Sequence, residues 1–559
     1  MAMDTVNDEG DEQKQSHEEP GVHHTVILGW SRKLASLLRQ LAVANQSLGG
    51  GEITVVAAVD VERMEQEHKR ENIDMLGTSV RFICGSRHDT EILRKASIDT
   101  ASAIIVLAES QDADESDQLS GIIVRKIMKV VDVATFKGHI VVEVIDFENE
   151  PWIKKTGGDL VETVVAKDVI TRLMVQCARQ PGLAQVWKDI LGFDKAEFYL
   201  KRWPELDGMR FIDVLVSFPE AIPCGVKVAS RNKIVLNPDD EYVLAEGDEV
   251  LVIADDDDSY APSTSLPEVQ VVKPQASKEV VEAKAVKKIL LCGWQQDMED
   301  LISVLEQTLG TGSEVWIFSE VPEEERERRL KGKGIVAEEL ENVKLIQITG
   351  KSTAIKDLEH LPLETFDSIL LVADGDTAFN AEQGPLSTLI MIKSIQAKRL
   401  PYREARAVQI RPAGNSKSSW IDELQHGTAQ SIIVSEILNA QTKEAIDKAD
   451  DSHDIEISDE IVSMALAMVA EDKRISGVLD ELFAEEGNEM ILRPAEMYLD
   501  HDAEKLSFYD IMMRARLRKE IVIGYQCEDE EQPVVNPSNK AARQKWSLDD
   551  SFIVLVERH

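Results

Sequence analysis

Residues 24–30 read His-Thr-Val-Ile-Leu-Gly-Trp, and residues 288–294 read Lys-Ile-Leu-Leu-Cys-Gly-Trp. Each is a short apolar run, closed by a glycine at a tight turn and followed by a helical pattern. That is the opening of a buried parallel strand feeding a helix. The echo extends to the far ends of both copies, where Ile234-Val-Leu-Asn-Pro238 matches Val534-Val-Asn-Pro537. A closing strand follows each Asn-Pro, at Glu249–Ala254 and at Ser551–Val556. A spacing of nearly half the chain is too long for a solenoid repeat and indicates two homologous modules.

Working outward, the first copy reads as strands at Thr25–Leu28, Ile53–Val59, Val80–Cys84, Ala103–Leu107 and His139–Ile145, with helical patterns between them. The second repeats the order with strands at Lys288–Cys292, Glu314–Phe318, Val343–Ile348, Ser368–Ala373 and Ala407–Ile410. Short buried strands alternating with helices predict an α/β fold, a Rossmann-like doubly wound parallel sheet in each copy. A helical segment follows each sheet: Asp168–Leu191 in the first copy, Val434–Leu438 with Ile461–Ala470 in the second. Ile461–Ala470 is apolar on nearly every face, so it must be buried in a core or an interface. A small β-rich lobe closes each copy. The expected boundaries are a disordered acidic leader (1–21), a first sheet lobe (22–166), its connection and C-lobe (167–258), a linker (259–287), a second sheet lobe (288–433) and its connection and C-lobe (434–559). A polar insertion, Lys443–Glu460, lengthens the second copy.

The 559-residue chain carries 62 Lys and Arg against 102 Asp and Glu, a net charge of −40. Nucleic-acid binding needs basic surface to release phosphate counterions, so it is set aside. The five cysteines are scattered, without CxxC spacing, which argues for a reducing compartment and against a zinc site. No apolar run is long enough to span a bilayer, and the first residues have no signal-peptide core.

A doubly wound sheet raises dinucleotide binding first. The fingerprint needs three glycines, for the turn, the pyrophosphate and helix packing. In Gly29-Trp30-Ser31-Arg32-Lys33-Leu34 only the first is present, and Gly293-Trp294-Gln295-Gln296-Asp297-Met298 fails at the same places. Gly29, with Asp60 at the end of the second strand, remains a weak nucleotide candidate, and NAD is not expected. Gly350-Lys351-Ser352 imitates the tail of a phosphate-binding loop, but Leu345 stands where its upstream glycine belongs. No catalytic histidine, serine or cysteine arrangement emerges, so no enzyme is expected. Acidic residues follow the fourth and fifth strands at the sheet edge where such folds bind ligands. Of these, Asp112, Asp114, Asp117, Asp146 and Glu148 are the candidate Ca2+ ligands, because calcium prefers hard oxygen donors.

Several longer strings carry a resemblance: Arg172-Leu-Met-Val-Gln-Cys-Ala-Arg-Gln-Pro-Gly-Leu183, Ala221-Ile-Pro-Cys-Gly-Val226, Ile461-Val-Ser-Met-Ala-Leu-Ala-Met-Val-Ala-Glu-Asp472, Leu361–Asp367, Leu482–Met490 and Lys545–Asp549. From about His24 onward the chain resembles the plant CASTOR/POLLUX ion-channel family, nearest its CASTOR branch. The resemblance implies tandem RCK domains, regulators of cation conductance. It implies a homotetramer with eight such domains in a ring under a membrane pore, and a place at the nuclear membrane. The associated role is potassium- or calcium-related ion transport in symbiotic calcium signalling, with Ca2+ as the regulatory ligand. The family's pore segments would precede His24, and this chain has none there. Two alternatives stand beside this reading: a soluble KTN-like regulator of a separate potassium transporter, and an NAD-dependent oxidoreductase.

Overall fold

The computed structural model describes residues 23–557, apart from 270–283, 373–377, 410–430, 438–454 and a few shorter breaks. The expected acidic leader, much of the linker and most of the polar insertion lie outside the described residues. The first sheet contains β1 (His24–Leu28), β2 (Glu52–Ala57), β3 (Ser79–Cys84), β4 (Ala103–Val106), β5 (His139–Val144) and β6 (Val161–Val165). Its order is β3-β2-β1-β4-β5-β6 with every pairing parallel. The order reverses between β1 and β4, which leaves a crevice at the carboxyl ends of those strands.

The small lobe that follows contains β7 (Glu197–Lys201), β8 (Ala221–Val228), β9 (Lys233–Leu236) and β10 (Glu249–Ala254), in the antiparallel order β7-β10-β8-β9. The second sheet contains β11 (Lys288–Cys292), β12 (Ser313–Ser319), β13 (Val343–Thr349), β14 (Ser368–Leu371), β15 (Ile432–Ile437) and β16 (Ile455–Ser458). Its order, β13-β12-β11-β14-β15-β16, reproduces the first sheet strand for strand. A second antiparallel lobe closes the chain, and it repeats the first lobe's bulge: the register slips at Leu251/Val252 in one copy and at Val522/Gly524 in the other.

The fold class is therefore the one the repeated strand–turn–helix pattern predicts. Three local expectations change. Each sheet gains a sixth strand, β6 and β16, on its outer edge. The fifth strand of the second copy is Ile432–Ile437, so Val434–Ile437 is strand where a helix was expected, and Leu438 lies outside the described residues. Ala407–Gln409 instead ends the long helix Ala378–Gln409. The β-branched run Ile432-Ile433-Val434 favours an extended chain, because branching at Cβ restricts side-chain rotamers in a helix. Finally, the helix after β4 starts at Ala113, so Asp114, Glu115 and Asp117 lie in its first turns and Asp112 caps it.

The two copies share one hydrophobic core, which runs from Ile27 and Val55 on the first sheet through Trp187 and Leu466 to Leu291 and Val315 on the second. It is continuous because the connection helices cross. The first, Ala166–Arg179, packs on β14, β15 and β16 of the second copy. Its counterpart, Asp459–Glu471, packs on β4, β5 and β6 of the first and on the helix Leu34–Ala44. Ile461 through Ala470 are all buried, as a helix apolar on every face requires. The last turns of both helices are tied to the opposite sheet. Ser368 Oγ donates to Ala178 O at 2.6 Å, and His139 Nε2 lies 2.7 Å from Val469 O.

Candidate ligand site at the carboxyl edge of the first sheet

The Gly-Trp turn that opens the first copy lies beside the crevice. Gly29 has φ +139°, and a Cβ there would lie 3.0 Å from Leu107 Cβ and 3.1 Å from the Arg87 guanidinium. Glycine is needed for both reasons: the left-handed backbone and the close approach of β4. The next backbone group, Trp30 N–H, donates to Glu109 Oε1 at 2.7 Å. The other oxygen of Glu109 accepts from Arg87 Nη2 at 2.7 Å, and Arg87 Nη1 reaches Leu107 O at 2.9 Å. The turn that presents N–H groups to a pyrophosphate in dinucleotide-binding sheets is thus occupied by the chain's own carboxylate. Asp60, the other nucleotide candidate, is exposed at the start of the helix Val61–Glu71 and does not line the adjacent cavity.

That cavity has a volume of about 740 Å³ and lies between the helices Leu34–Ala44, Val61–Glu71 and Ala166–Arg179. Its walls include Trp30, Phe82 and His68; the Trp30 and Phe82 rings meet edge-on at 6.2 Å, and His68 tilts against Phe82 at 5.7 Å. Burial lowers the His68 pKa, which favours the neutral ring. Its Nδ1 is buried without a hydrogen-bond partner, and so is Ser31 Oγ. Lys33 pairs with Glu143, whose carboxylate is fully buried and also accepts from Ala108 N–H at 2.9 Å. Ala166, Lys167 and Ile170 bring the first connection helix to the cavity wall. From the second copy, Ser463 Oγ donates to Lys33 O at 3.3 Å, so both connection helices touch this site.

The second copy does not repeat the arrangement around its tryptophan. Gly293 keeps its left-handed turn, at φ +110°, but Trp294 is only 5% exposed and its Nε1 is buried without a partner. Trp30 faces a cavity; Trp294 fills core.

The five carboxylates singled out as calcium ligands are not brought together. Asp112 caps the helix Ala113–Val130 by accepting from Glu115 N–H at 3.1 Å. Asp114 is exposed in the first turn of that helix. Asp117 is fully buried and accepts from Ile145 N–H, Asp146 N–H and Asn149 Nδ2 at 2.9–3.0 Å, so it holds the loop after β5 in place. Asp146 caps a short turn by accepting from Glu148 N–H at 2.9 Å, and Glu148 is exposed. The second copy's Lys333 comes close enough for these two carboxylates to raise its pKa, after the larger effect of its pairing with Glu299. Among the described residues, no group of three or more His, Cys, Asp or Glu is placed to hold a metal ion. In this structure these residues cap helices and fix a loop. Sequence reading also missed Glu109 as the residue filling the turn. Its one sequence signal was an acid just after β4.

Among the described residues no helix is long and apolar enough to cross a membrane. A family profile described as Castor and Pollux, part of voltage-gated ion channel, matches residues 167–270, the first connection and small lobe. The chain is 52% identical over 540 residues to the probable ion channel CASTOR of Oryza sativa subsp. japonica, covering 96% of this chain and 60% of that protein. It is 53% identical over 539 residues to the ion channel DMI1 of Medicago truncatula, again covering 96% of this chain and 60% of its relative. It thus spans about three-fifths of the length of these relatives. Among solved structures, the human SLO3 gating ring is similar in fold, with a TM-score of 0.60 and 13% identity, covering 96% of this chain and 99% of that one.

Proposed function

Since this chain belongs, over the length it spans, to the CASTOR and POLLUX family, we propose that it is the regulatory part of a cation channel, a unit that assembles into a ring and passes a ligand signal to a pore. The matched relatives are named ion channels, which sets the oxidoreductase alternative aside. The observation that carries the reading is the crossing of the connection helices. Each sheet is packed against the helix of the other copy, so a shift of one sheet lobe moves the other. A ligand can bias such a unit only by binding one arrangement better than another. A swing from 1:99 to 99:1 needs about 5.5 kcal/mol of preference, which several equivalent subunits in a ring can share.

The outer helices support assembly. Ile122, Phe147 and Trp152 are exposed around the helix Ala113–Val130, and Ile390 is 58% exposed on the corresponding helix of the second copy. A homotetramer, a pore in the nuclear membrane and a role in symbiotic calcium signalling complete the proposal. Calcium belongs to it as an effector, without an assigned ligand set, and no step is drawn through the five carboxylates. Action on a separate potassium transporter is the rival form of the same regulatory reading.

The test is a chimera in which this chain replaces the matching residues of the rice relative, recorded in planar bilayers. Ligand-dependent opening supports the proposal, and a pore that conducts without responding to any effector rejects it. Light scattering on the purified chain should report four copies; a strict monomer removes the ring.

A further inference from the structure

We propose that the cavity beside the first Gly-Trp turn binds an uncharged, flat aromatic compound. This rests on the regulatory reading above and names a ligand class for it. The two copies differ here at matched positions. Leu28 pairs with Val56 and Cys292 with Phe318 at the ends of the corresponding strands, which sets the copies in register. In that register Phe82 corresponds to Gln347. With the helix caps Asp60 and Pro322 aligned, His68 corresponds to Leu330. Trp294 and Leu330 are 5% and 3% exposed and belong to the core of the second copy. Trp30, His68 and Phe82 are half-buried and stand on the wall of the open volume of about 740 Å³. The second copy closes this corner with its own indole ring, whereas the first leaves it open and lines it with three rings.

The volume falls in the usual range for ligand pockets, which are mostly apolar. Leu34, Leu38 and Ile170 add aliphatic surface beside the rings. The rings already meet edge-on or tilted, and such contacts favour a further flat ring over an aliphatic body.

The ligand is uncharged because the wall holds no charge in want of a partner. Arg32, Lys33 and Lys167 face Glu67, Glu71 and Glu109, three bases against three acids. All three bases are engaged within the chain. Glu109 is held by Trp30 N–H and Arg87, Glu67 accepts from Arg63 at 2.9 Å, and Glu71 is exposed to water. A charged ligand would lose hydration there without gaining a counter-charge.

Binding would act on both copies at once. The cavity touches the first connection helix at Ala166 and Ile170, and the backbone of Lys33 carries the contact from Ser463 of the second.

The probe is 2-naphthalenemethanol, titrated onto the full chain by isothermal calorimetry. One saturable site per chain is expected. The charged analogues 2-naphthoate and 2-naphthylmethylamine should each bind at least tenfold more weakly. Ala35→Trp, which places a ring in the cavity, should weaken the probe at least tenfold, and Phe82→Gln, which installs the second copy's residue, several-fold. Circular dichroism checks that each variant folds, and Phe82→Gln decides the matter if Ala35→Trp does not fold. Absence of a saturable site, a charged analogue that binds as tightly as the alcohol, or unchanged binding in the folded variants overturns the proposal. A monomer that binds the probe would overturn the ring and leave the site standing; a tetramer that does not bind it would do the reverse.

Discussion

Asn237 and Asn536 perform the same task on each other's lobes. Asn237 Nδ2 donates to Lys519 O at 2.7 Å, and Asn536 Nδ2 donates to Glu220 O at 3.0 Å. Both sit in the left-handed region, at φ 46° and 49°, and their backbone N–H groups bond to Cys224 O and Ile523 O. The Asn-Pro repeated along the chain is thus a pseudo-twofold clasp between the two small lobes. Asparagine suits it because it tolerates positive φ and carries an amide donor. Alanine at either position should cost about 1–3 kcal/mol for the lost bonds and about 1–2 more for backbone strain. Glycine should cost less than alanine, since it avoids the strain. Urea denaturation of the four single variants gives the ranking, and equal costs for alanine and glycine would contradict the backbone argument.

The acidic residues after β4 and β5 should separate by structural role. Asp117→Ala leaves three donors around a buried site without an acceptor and should destabilise by about 3 kcal/mol or more. Asp112→Ala removes a helix cap and should cost about 1 kcal/mol. Asp114→Ala should be close to neutral, as for an exposed residue. Thermal melts without added calcium check this order.

Glu143 and Lys33 form an ion pair whose carboxylate is fully buried and whose ammonium side chain is 15% exposed. Removing one partner strands the other, so Glu143→Ala should cost about 3–5 kcal/mol. The double variant Lys33→Met with Glu143→Leu should recover much of that loss, because replacing both members removes the stranded charge. A double-mutant cycle by chemical denaturation measures the coupling.

His139 links β5 to the second connection helix, and burial lowers its pKa below the ordinary 6.5 despite the bond to Val469 O. Burial lowers His24 and His68 in the same direction. A histidine with a lowered folded pKa is stabilising as the neutral ring, so its contribution is complete above about pH 6.5 and is lost as pH falls through the folded value. The melting temperature should therefore drop below pH 6.5. His139→Gln should flatten part of that slope, and an unaltered pH profile in the variant would remove His139 as a contributor.

Much of the scaffold was legible because it depends on local pattern. Ile104-Ile105-Val106 and Leu290-Leu291-Cys292 are apolar enough to be buried on both faces, and Gly29 and Gly293 mark turns that need positive φ. The edge strands were not legible. Val161–Val165 carries Glu162 and Thr163, and Ile455–Ser458 lies inside a polar stretch, so neither shows a continuous apolar run. The cavity was half visible: Trp30 and Lys33 belong to the turn, while Phe82, Glu109 and Ile170 come from elsewhere in the chain.

The sequence alone determined two copies of a parallel sheet, each with a tight Gly-Trp turn and a small β lobe, because strand burial and glycine turns are written in neighbouring residues. Only the tertiary structure decided that the connection helices cross, that Asn237 and Asn536 clasp opposite lobes, and that Glu109 fills the turn beside Trp30. Those facts rest on contacts between residues 79 to more than 300 positions apart. Such pairs are selected by packing and by the cost of leaving buried polar groups unpaired, and no local pattern carries that information.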